Sequence, residues 1–114
     1  MEINEILQKM YTTLDDRKAK NIQVIDIRGI SIMTDYFVVA SASNANHIQA
    51  LVDHMEDEMR SIGLHYTHME GYKSANWILM DYGDIIVHIF DDASRDFYDI
   101  ERIWRDGKLM VMPQ

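Results

Sequence analysis

Two apolar runs flank the short acidic segment Asp81-Tyr82-Gly83-Asp84, and this pattern constrains the fold more than any other part of the chain. Gly83 can adopt a positive φ without steric cost. The segment therefore predicts a tight β-hairpin with Tyr82 and Gly83 at the centre of the turn. In that register Asp81 faces Asp84, and further along the strands Trp77 faces His88. Because successive side chains on a strand alternate in direction, the hairpin has two separate faces.

The two faces of the predicted hairpin differ in chemistry. One is aliphatic and should pack under helices; it carries Ile78, Met80, Ile85, Val87 and Ile89. The other mixes aromatic, aliphatic and polar side chains: Trp77, Leu79, Asp81, Asp84, Ile86, His88 and Phe90. A face of this second kind is typical of a partly solvated sheet surface or of a recognition surface, and both interpretations stay open.

The acidic composition argues against a protein that grips nucleic acid. Lys and Arg number 11, Asp and Glu number 19, and the formal net charge is -8. Binding through phosphates needs clustered cations, so we expect little direct nucleic-acid contact. A basic protein partner fits better, because an acidic surface steers its approach. Cysteine is absent from the sequence, which excludes disulfides and thiolate metal sites.

The organisation of the chain predicts one domain over residues 1–114. The sequence has no internal repeat, and its single proline is Pro113. No apolar run reaches the length of a membrane span, and the N-terminus lacks the apolar core of a signal peptide. We therefore expect a cytoplasmic protein with no membrane partner.

Three segments have helical periodicity. The first has apolar residues at helical spacing from Ile3 to Leu14. The second carries the strongest stripe, with Ser43 or Asn44 as N-cap, Gly63 just past its end, and Ile48, Leu51, Val52, Met55, Met59 and Ile62 along it. The third follows the cap residues 91–94 and is predicted to bury Phe97, Ile100 and Trp104.

Strands are predicted at residues 21–27, 35–41 and 64–70, followed by the two strands of the hairpin. A short apolar tail, 109–112, can pack or pair. The order α-β-β-α-β-β-β-α predicts an α/β (α+β) domain, in which helices pack on a mixed sheet of about five strands.

Paired carboxylates could serve acid-base or Mg²⁺ chemistry. The two pairs are Asp81 with Asp84 and Asp91 with Asp92. Their places in the chain favour turn and helix-cap roles instead.

The histidines and serines favour structural roles as well. On a strand, His65 and His68 would point to opposite faces, which is poor geometry for one metal ion. Ser41 and Ser43 follow a strand, but no nucleophile elbow or phosphate loop accompanies them, so we interpret them as caps. His88 is better explained as a hydrogen-bonded, half-buried histidine than as a catalyst. We predict no catalytic residue, metal or cofactor.

Several motifs together resemble the ribosomal silencing factor family, also called Iojap-like. They are Asp35-Tyr-Phe-Val-Val-Ala-Ser41, Glu70-Gly71, Trp77-Ile-Leu-Met-Asp-Tyr-Gly-Asp84, Val87-His-Ile-Phe90 and Arg95-x-x-Tyr98-x-Ile-Glu101-x-x-Trp104. The resemblance covers nearly the whole chain. One departure is Ala42, since the family usually has glycine after the serine.

The resemblance implies a fold similar to nucleotidyltransferases without their catalytic carboxylates. It implies binding to the large ribosomal subunit, mainly through its ribosomal protein fourteen. The bound factor would block joining of the small subunit and lower translation when nutrients are scarce. Family members often form homodimers, and organelle relatives act in large-subunit assembly. Three alternatives stay open: an assembly factor, a residual nucleotidyltransferase, and a homodimeric scaffold using Met55 and Met59.

The predicted partner-binding residues come from the hairpin and the last helix. Trp77 and Tyr98 would be aromatic anchors, and Asp81 would accept a hydrogen bond from a lysine or arginine of the partner. The full set is Trp77, Leu79, Asp81, His88, Phe90, Arg95 and Tyr98. For the helix, whose Glu101 and Arg102 would lie beside Arg95 and Tyr98, an ordinary solvated face with ion pairs is the alternative. The same aromatics could instead close a dimer.

Overall fold

The computed structural model describes residues 1–113, and for residue 103 it describes the backbone alone. Residue 114, the end of the predicted domain, lies outside this range. Within it the elements are α1 (Ile3–Asp16), β1 (Lys20–Asp26), β2 (Tyr36–Ala42), α2 (Ala45–Ser61), β3 (His68–Glu70), β4 (Trp77–Asp81), β5 (Ile85–Asp91), α3 (Asp92–Tyr98), α4 (Ile100–Ile103) and β6 (Lys108–Met110).

The strands form one mixed sheet in the order β3-β4-β5-β2-β1-β6. The central pair, β2 and β5, is parallel, and the other neighbouring strands are antiparallel. The predicted fold class is therefore confirmed. The sixth strand comes from the apolar tail, where β6 pairs with β1.

Helices α1 and α2 pack on one face of the sheet and enclose the larger part of the core. The aliphatic face of the hairpin lies beneath them: Ile78, Met80, Val87 and Ile89 have no exposed surface. Burying such a side chain contributes about 1.5–3 kcal/mol to folding. This face was predicted correctly, as was the α2 stripe that covers it.

The helix ends use the chemistry that the sequence indicates. Asn44 caps α2, since its Oδ1 accepts a hydrogen bond from the His47 backbone N–H at 2.8 Å. Gly63 follows the end of α2 with a φ of 81°. Asp91 caps α3 through Oδ1, which accepts from the Ser94 N–H at 2.7 Å. Each side-chain cap is worth about 1 kcal/mol.

The hairpin turn is centred one residue later than the sequence predicts. The Tyr82 N–H donates to the Ile85 carbonyl at 2.9 Å, which places Gly83 and Asp84 at the centre. The Asp81 side chain fixes this position, because its Oδ1 accepts from the Gly83 N–H at 2.8 Å. Asp81 therefore has the predicted turn role.

The shift changes the pairing but keeps the faces. Trp77 lies opposite Phe90, and Leu79 lies opposite His88. The predicted pairing of Trp77 with His88 is wrong by two residues. Because side chains alternate with a period of two, a shift of two leaves every side chain on its predicted face.

The predicted last helix is divided in two. Asp99 has a φ of 48°, in the left-handed region, and separates α3 from α4. Ile100 is buried as predicted, but Phe97 is 82% exposed and Arg95 is buried. The predicted burial of Phe97 is wrong because α3 ends at Tyr98, so Phe97 and Ile100 do not share one helical stripe, and Arg95 turns toward the sheet.

The strand predicted at residues 64–70 is shorter, since only His68–Glu70 pairs with β4. The Leu64 N–H instead donates to the Met59 carbonyl at the end of α2.

Candidate docking face

The sheet face opposite α1 and α2 is only partly covered. Helices α3 and α4 lie over its middle, where Phe37, Val39, Phe90 and Ile100 form a second, smaller core. Beside them an apolar and acidic surface reaches solvent. We call this surface the docking face and define it by five side chains, four half-buried and one exposed: Trp77, Leu79, Asp81, Ile86 and Tyr98.

An aromatic cluster forms one side of the docking face. The Trp77 indole stacks on Phe90 with ring centroids 5.0 Å apart and an interplanar angle of 25°. Tyr98 contacts the same indole from α3, with centroids 4.7 Å apart. Strand β4, strand β5 and helix α3 therefore each contribute one ring to the cluster.

The indole also makes a hydrogen bond beneath the surface. Trp77 Nε1–H donates to Nδ1 of His88 at 3.0 Å. An indole nitrogen can only donate, so Nδ1 is the unprotonated acceptor and the proton of the neutral ring lies on Nε2. The sequence predicted these two residues as a directly opposed pair, whereas they meet diagonally across the hairpin. His88 is also more deeply buried than expected, with 4% of its surface exposed.

Burial also sets the charge of His88. Desolvation lowers the pKa of the imidazole from its ordinary value of 6.5 to about 3. Its Nε2 has no hydrogen-bond partner among the described residues. The ring lies edge to face with Phe37, with centroids 4.7 Å apart. His88 is therefore a neutral, enclosed histidine at neutral pH.

This burial predicts a pH-dependent stability. Below pH 6.5 the unfolded chain protonates His88, whereas the folded chain does not do so until about pH 3. The contribution of neutral His88 to the stability of the fold is complete above pH 6.5 and is lost as the pH falls toward 3. Lowering the pH from about 7.5 to about 5 should therefore reduce the free energy of unfolding by about 2 kcal/mol through His88. Urea denaturation of the wild type and His88→Leu at both values checks this, and an equal loss in both proteins would contradict it.

A second buried polar group connects the helices to the sheet. Arg95 Nη1 donates to Ser41 Oγ at 3.2 Å and to the Lys20 carbonyl at 3.4 Å. Its Nε lies 3.4 Å from Glu101 Oε1 on α4. The interpretation of Ser41 as a cap is therefore wrong, because it is a buried polar residue at the end of β2. Arg95 holds α3 and α4 over the second core.

The seven predicted binding residues divide into two groups. Four reach the surface on the docking face: Trp77, Leu79, Asp81 and Tyr98. The other three, His88, Phe90 and Arg95, are buried and cannot touch a partner in this conformation. They form the support of the face.

Two residues that are not among the seven predicted binding residues also lie at this surface. Ile86 lies opposite Asp81 and is half-buried. Strand alternation already placed it on this face. Glu70 lies opposite Leu79 on the edge strand β3, and its carboxylate is 3.3 Å from His68 Nε2. Only the β3–β4 register reveals this neighbour.

Across residues 1–113, no group of three histidine or carboxylate side chains is arranged to hold a metal ion. None of the helices in the same range is long and apolar enough to cross a membrane.

Comparison with known proteins assigns the family. The family model described as "Ribosomal silencing factor during starvation" matches residues 1–114. The chain belongs to the ribosomal silencing factor family. A ribosomal silencing factor from Bacillus subtilis is 33% identical over 109 residues, which are 96% of this chain and 92% of that protein.

A solved structure supports the fold of this silencing factor chain. The crystal structure of a Chromobacterium violaceum protein superposes with a TM-score of 0.89 at 31% identity, and covers 100% of this chain and 94% of that one. A more distant relative is the mouse protein named for mitochondrial assembly of the ribosomal large subunit. It is 25% identical over 101 residues, which are 86% of this chain and 44% of that protein.

Proposed function

We propose that this chain binds the large ribosomal subunit through the docking face, with ribosomal protein fourteen as its main contact. The bound factor blocks joining of the small subunit and so represses translation when nutrients are limited. The observation that carries the proposal is the aromatic cluster of Trp77, Phe90 and Tyr98, which reaches solvent beside carboxylates in a chain of the silencing factor family.

The docking face has the composition of a protein-binding site. Trp77 and Tyr98 are aromatic anchors of the type that dominates binding energy. Leu79 and Ile86 extend the apolar centre, and the carboxylates of Asp81 and Glu70 lie around it. An apolar centre with a polar rim is the usual anatomy of such interfaces. Asp81 gives one oxygen to the turn and can offer the other to a lysine or arginine of the partner.

The charge of the chain supports a protein contact over an RNA contact. The net charge of -8 attracts basic ribosomal proteins and repels nearby phosphates. This repulsion confines binding to a protein surface, so direct contact with nucleic acid is small.

We expect binding to weaken as salt increases. At about 0.15 M ionic strength the Debye length is about 8 Å, so added salt screens exposed charges further. Raising salt from about 0.05 M to about 0.5 M should weaken the affinity for isolated large subunits by about tenfold, mostly through slower association. Filter binding or sedimentation at matched Mg²⁺ measures this. An affinity that does not respond, or that rises, would contradict the electrostatic part of the proposal.

The structural uses of the candidate catalytic groups support a non-enzymatic function. Asp81 stabilises the hairpin turn, and Asp91 caps α3. Ser41 is turned inward onto the Arg95 guanidinium. We propose that the chain acts by steric exclusion, as one domain in the cytoplasm. Thermal shift with Mg²⁺-nucleotides tests the alternative of a residual nucleotidyltransferase, because a ligand at a hundred times its Kd stabilises by about 2.7 kcal/mol.

The direct test is co-sedimentation of the purified protein with isolated large subunits, followed by addition of small subunits. The proposal requires the protein to bind large subunits and to reduce the fraction of joined ribosomes. Trp77→Ala should restore joining. Failure of the wild type to bind would overturn the proposal.

Large-subunit assembly is the second candidate function. The name of the mouse relative favours it, although this chain spans less than half of that protein. Binding to large subunits without any effect on joining would support assembly.

We also propose that the free protein forms homodimers. Sedimentation across a concentration series tests dimerisation, and competition by large subunits would show that the two interfaces overlap.

A further inference from the structure

Among the described residues, the His88 imidazole has one hydrogen bond, and that bond is made to an anchor of the docking face. Its Nδ1 accepts from Trp77 Nε1–H, and its Nε2 has no hydrogen-bond partner among the described residues. Such an arrangement does not optimise stability, because a buried donor without an acceptor is destabilising. An aliphatic side chain of similar size would remove the unpaired Nε2–H and would leave the Trp77 N–H without its acceptor. Local rules of this kind are usually broken at functional sites.

The hydrogen bond to His88 adds a directional contact to the stacking that holds Trp77. The indole is planar, and Phe90 and Tyr98 contact its ring system. Rotation of about 180° about the torsion between Cβ and the ring would keep the ring plane, because this torsion has a roughly two-fold profile. The two orientations differ in where Nε1 and the benzene ring lie. The hydrogen bond to His88 is the directional contact that places Nε1, and not the benzene ring, on the His88 side.

We propose that His88 is a positioning residue for the docking face. It accepts the Trp77 indole N–H from below, selects one of the two ring orientations, and presents the same edge of Trp77 to every partner molecule. This inference rests on the proposed function. It deepens that function by assigning the orientation of the main anchor to a residue that the partner never touches.

The burial of His88 protects its hydrogen bond with Trp77 from solvent. The imidazole is enclosed by Phe37, Trp77 and Phe90. Solvent therefore does not compete for Nδ1. The selected orientation exists in the free protein, so binding does not have to select it from a mixture.

Two substitutions of nearly equal shape separate positioning from packing. In His88→Asn the side-chain amide can place an acceptor oxygen close to where Nδ1 stands. In His88→Leu the branched side chain has methyl groups there and no acceptor. Leucine fills the buried site better and brings no polar atoms, so His88→Leu should be the more stable variant. If His88 positions Trp77, His88→Asn should be the better binder.

The first readout is solvent exchange of the indole N–H protons by NMR in the free protein. The chain has two tryptophans, so Trp104 is an internal reference and Trp77→Phe assigns the signals. The Trp77 proton should exchange slowly in the wild type and in His88→Asn. In His88→Leu it should exchange at least about tenfold faster, as expected for a lost hydrogen bond. Unchanged exchange in His88→Leu would overturn the proposal.

The second readout is affinity for isolated large subunits. His88→Leu should bind about tenfold more weakly than the wild type, and His88→Asn within about threefold of it. Binding would then run in the opposite order to stability. Affinities that follow stability, or equal affinity of His88→Leu and the wild type, would overturn the positioning role.

The design separates failure of this inference from failure of the proposed function. If Trp77→Ala weakens binding but His88→Leu does not, the docking face is supported and the positioning role of His88 is rejected. If the wild type does not bind large subunits, both the proposed function and the positioning role are rejected. The exchange data would still report the hydrogen bond as a purely structural one.

Discussion

Gly71→Ala should destabilise the fold by at least about 3 kcal/mol, which combines the cost of a positive φ with that of overpacking against backbone. Gly71 has a φ of 82°, and a Cβ added there would lie 2.1 Å from the Trp77 carbonyl oxygen and 3.1 Å from its carbonyl carbon. The obstacle is backbone at the start of β4, which cannot rotate away as a flexible side chain would. Urea denaturation of the purified variant measures the loss.

Gly83→Ala is the matched control. Gly83 has a φ of 87°, and no atom lies within 4 Å of a Cβ built there. That substitution should cost only the backbone strain, about 1 kcal/mol. Equal losses in the two variants would show that the contact with Trp77 relaxes at little cost. A variant of Gly71 that cannot be obtained folded, beside a well-folded Gly83 variant, agrees with the expectation.

Trp77→Ala should weaken binding to large subunits by at least about 100-fold, as expected for a central aromatic hot spot. The substitution removes the ring that Phe90 and Tyr98 contact and leaves the His88 acceptor without its donor. Sedimentation or filter binding with isolated large subunits measures the affinity. Far-UV circular dichroism and urea denaturation of the same sample show whether the fold persists.

Tyr72→Ala controls for the loss of an aromatic ring as such. Tyr72 is a half-buried aromatic that packs against the core on the α1 and α2 side of the sheet, and its hydroxyl donates to Asp53 at 2.9 Å. It should lower stability to a similar degree without changing affinity. If both variants lose binding in proportion to stability, Trp77 is a core residue and not an anchor.

The faces of the sheet were predictable because they depend on local alternation. Ile78 and Met80 had to share one face and Trp77 and Leu79 the other, whatever the exact turn. The turn position was not predictable from Gly83 alone. It depends on the hydrogen bond from Gly83 N–H to Asp81, one of several that an aspartate two residues before a glycine can make.

The last helix shows where sequence reasoning fails. An exposed Phe97 beside a buried Arg95 reverses the usual preference of the two residue types. The partners of Arg95 are Ser41 and the Lys20 carbonyl, which are distant in sequence. Periodicity within a helix carries no information about such partners, nor about the left-handed residue Asp99 that ends α3.

The candidate site was predictable in outline for the same reason. Trp77 and Asp81 could be assigned to one surface, but the depth of each side chain depends on how far α3 and α4 reach over the sheet. Phe90 packs with Ile100 and Tyr98 of those helices, and His88 is enclosed by Phe37, Trp77 and Phe90. The distinction between a contact residue and its support needed the tertiary structure.

The parallel pairing of β2 with β5 has a consequence for synthesis of the protein. Tyr36 pairs with Ile85 and Ala42 pairs with Asp91, so the centre of the sheet cannot close until the segment ending at Asp91 has left the ribosome. Pairing across such a long loop is also intrinsically slow. Tyr98 arrives later still. A nascent chain therefore has no complete docking face while most of it is being made, and an interrupted product that ends before β5 would lack Ile86 and Tyr98 of that face. The topology thus restricts the complete docking face to finished molecules.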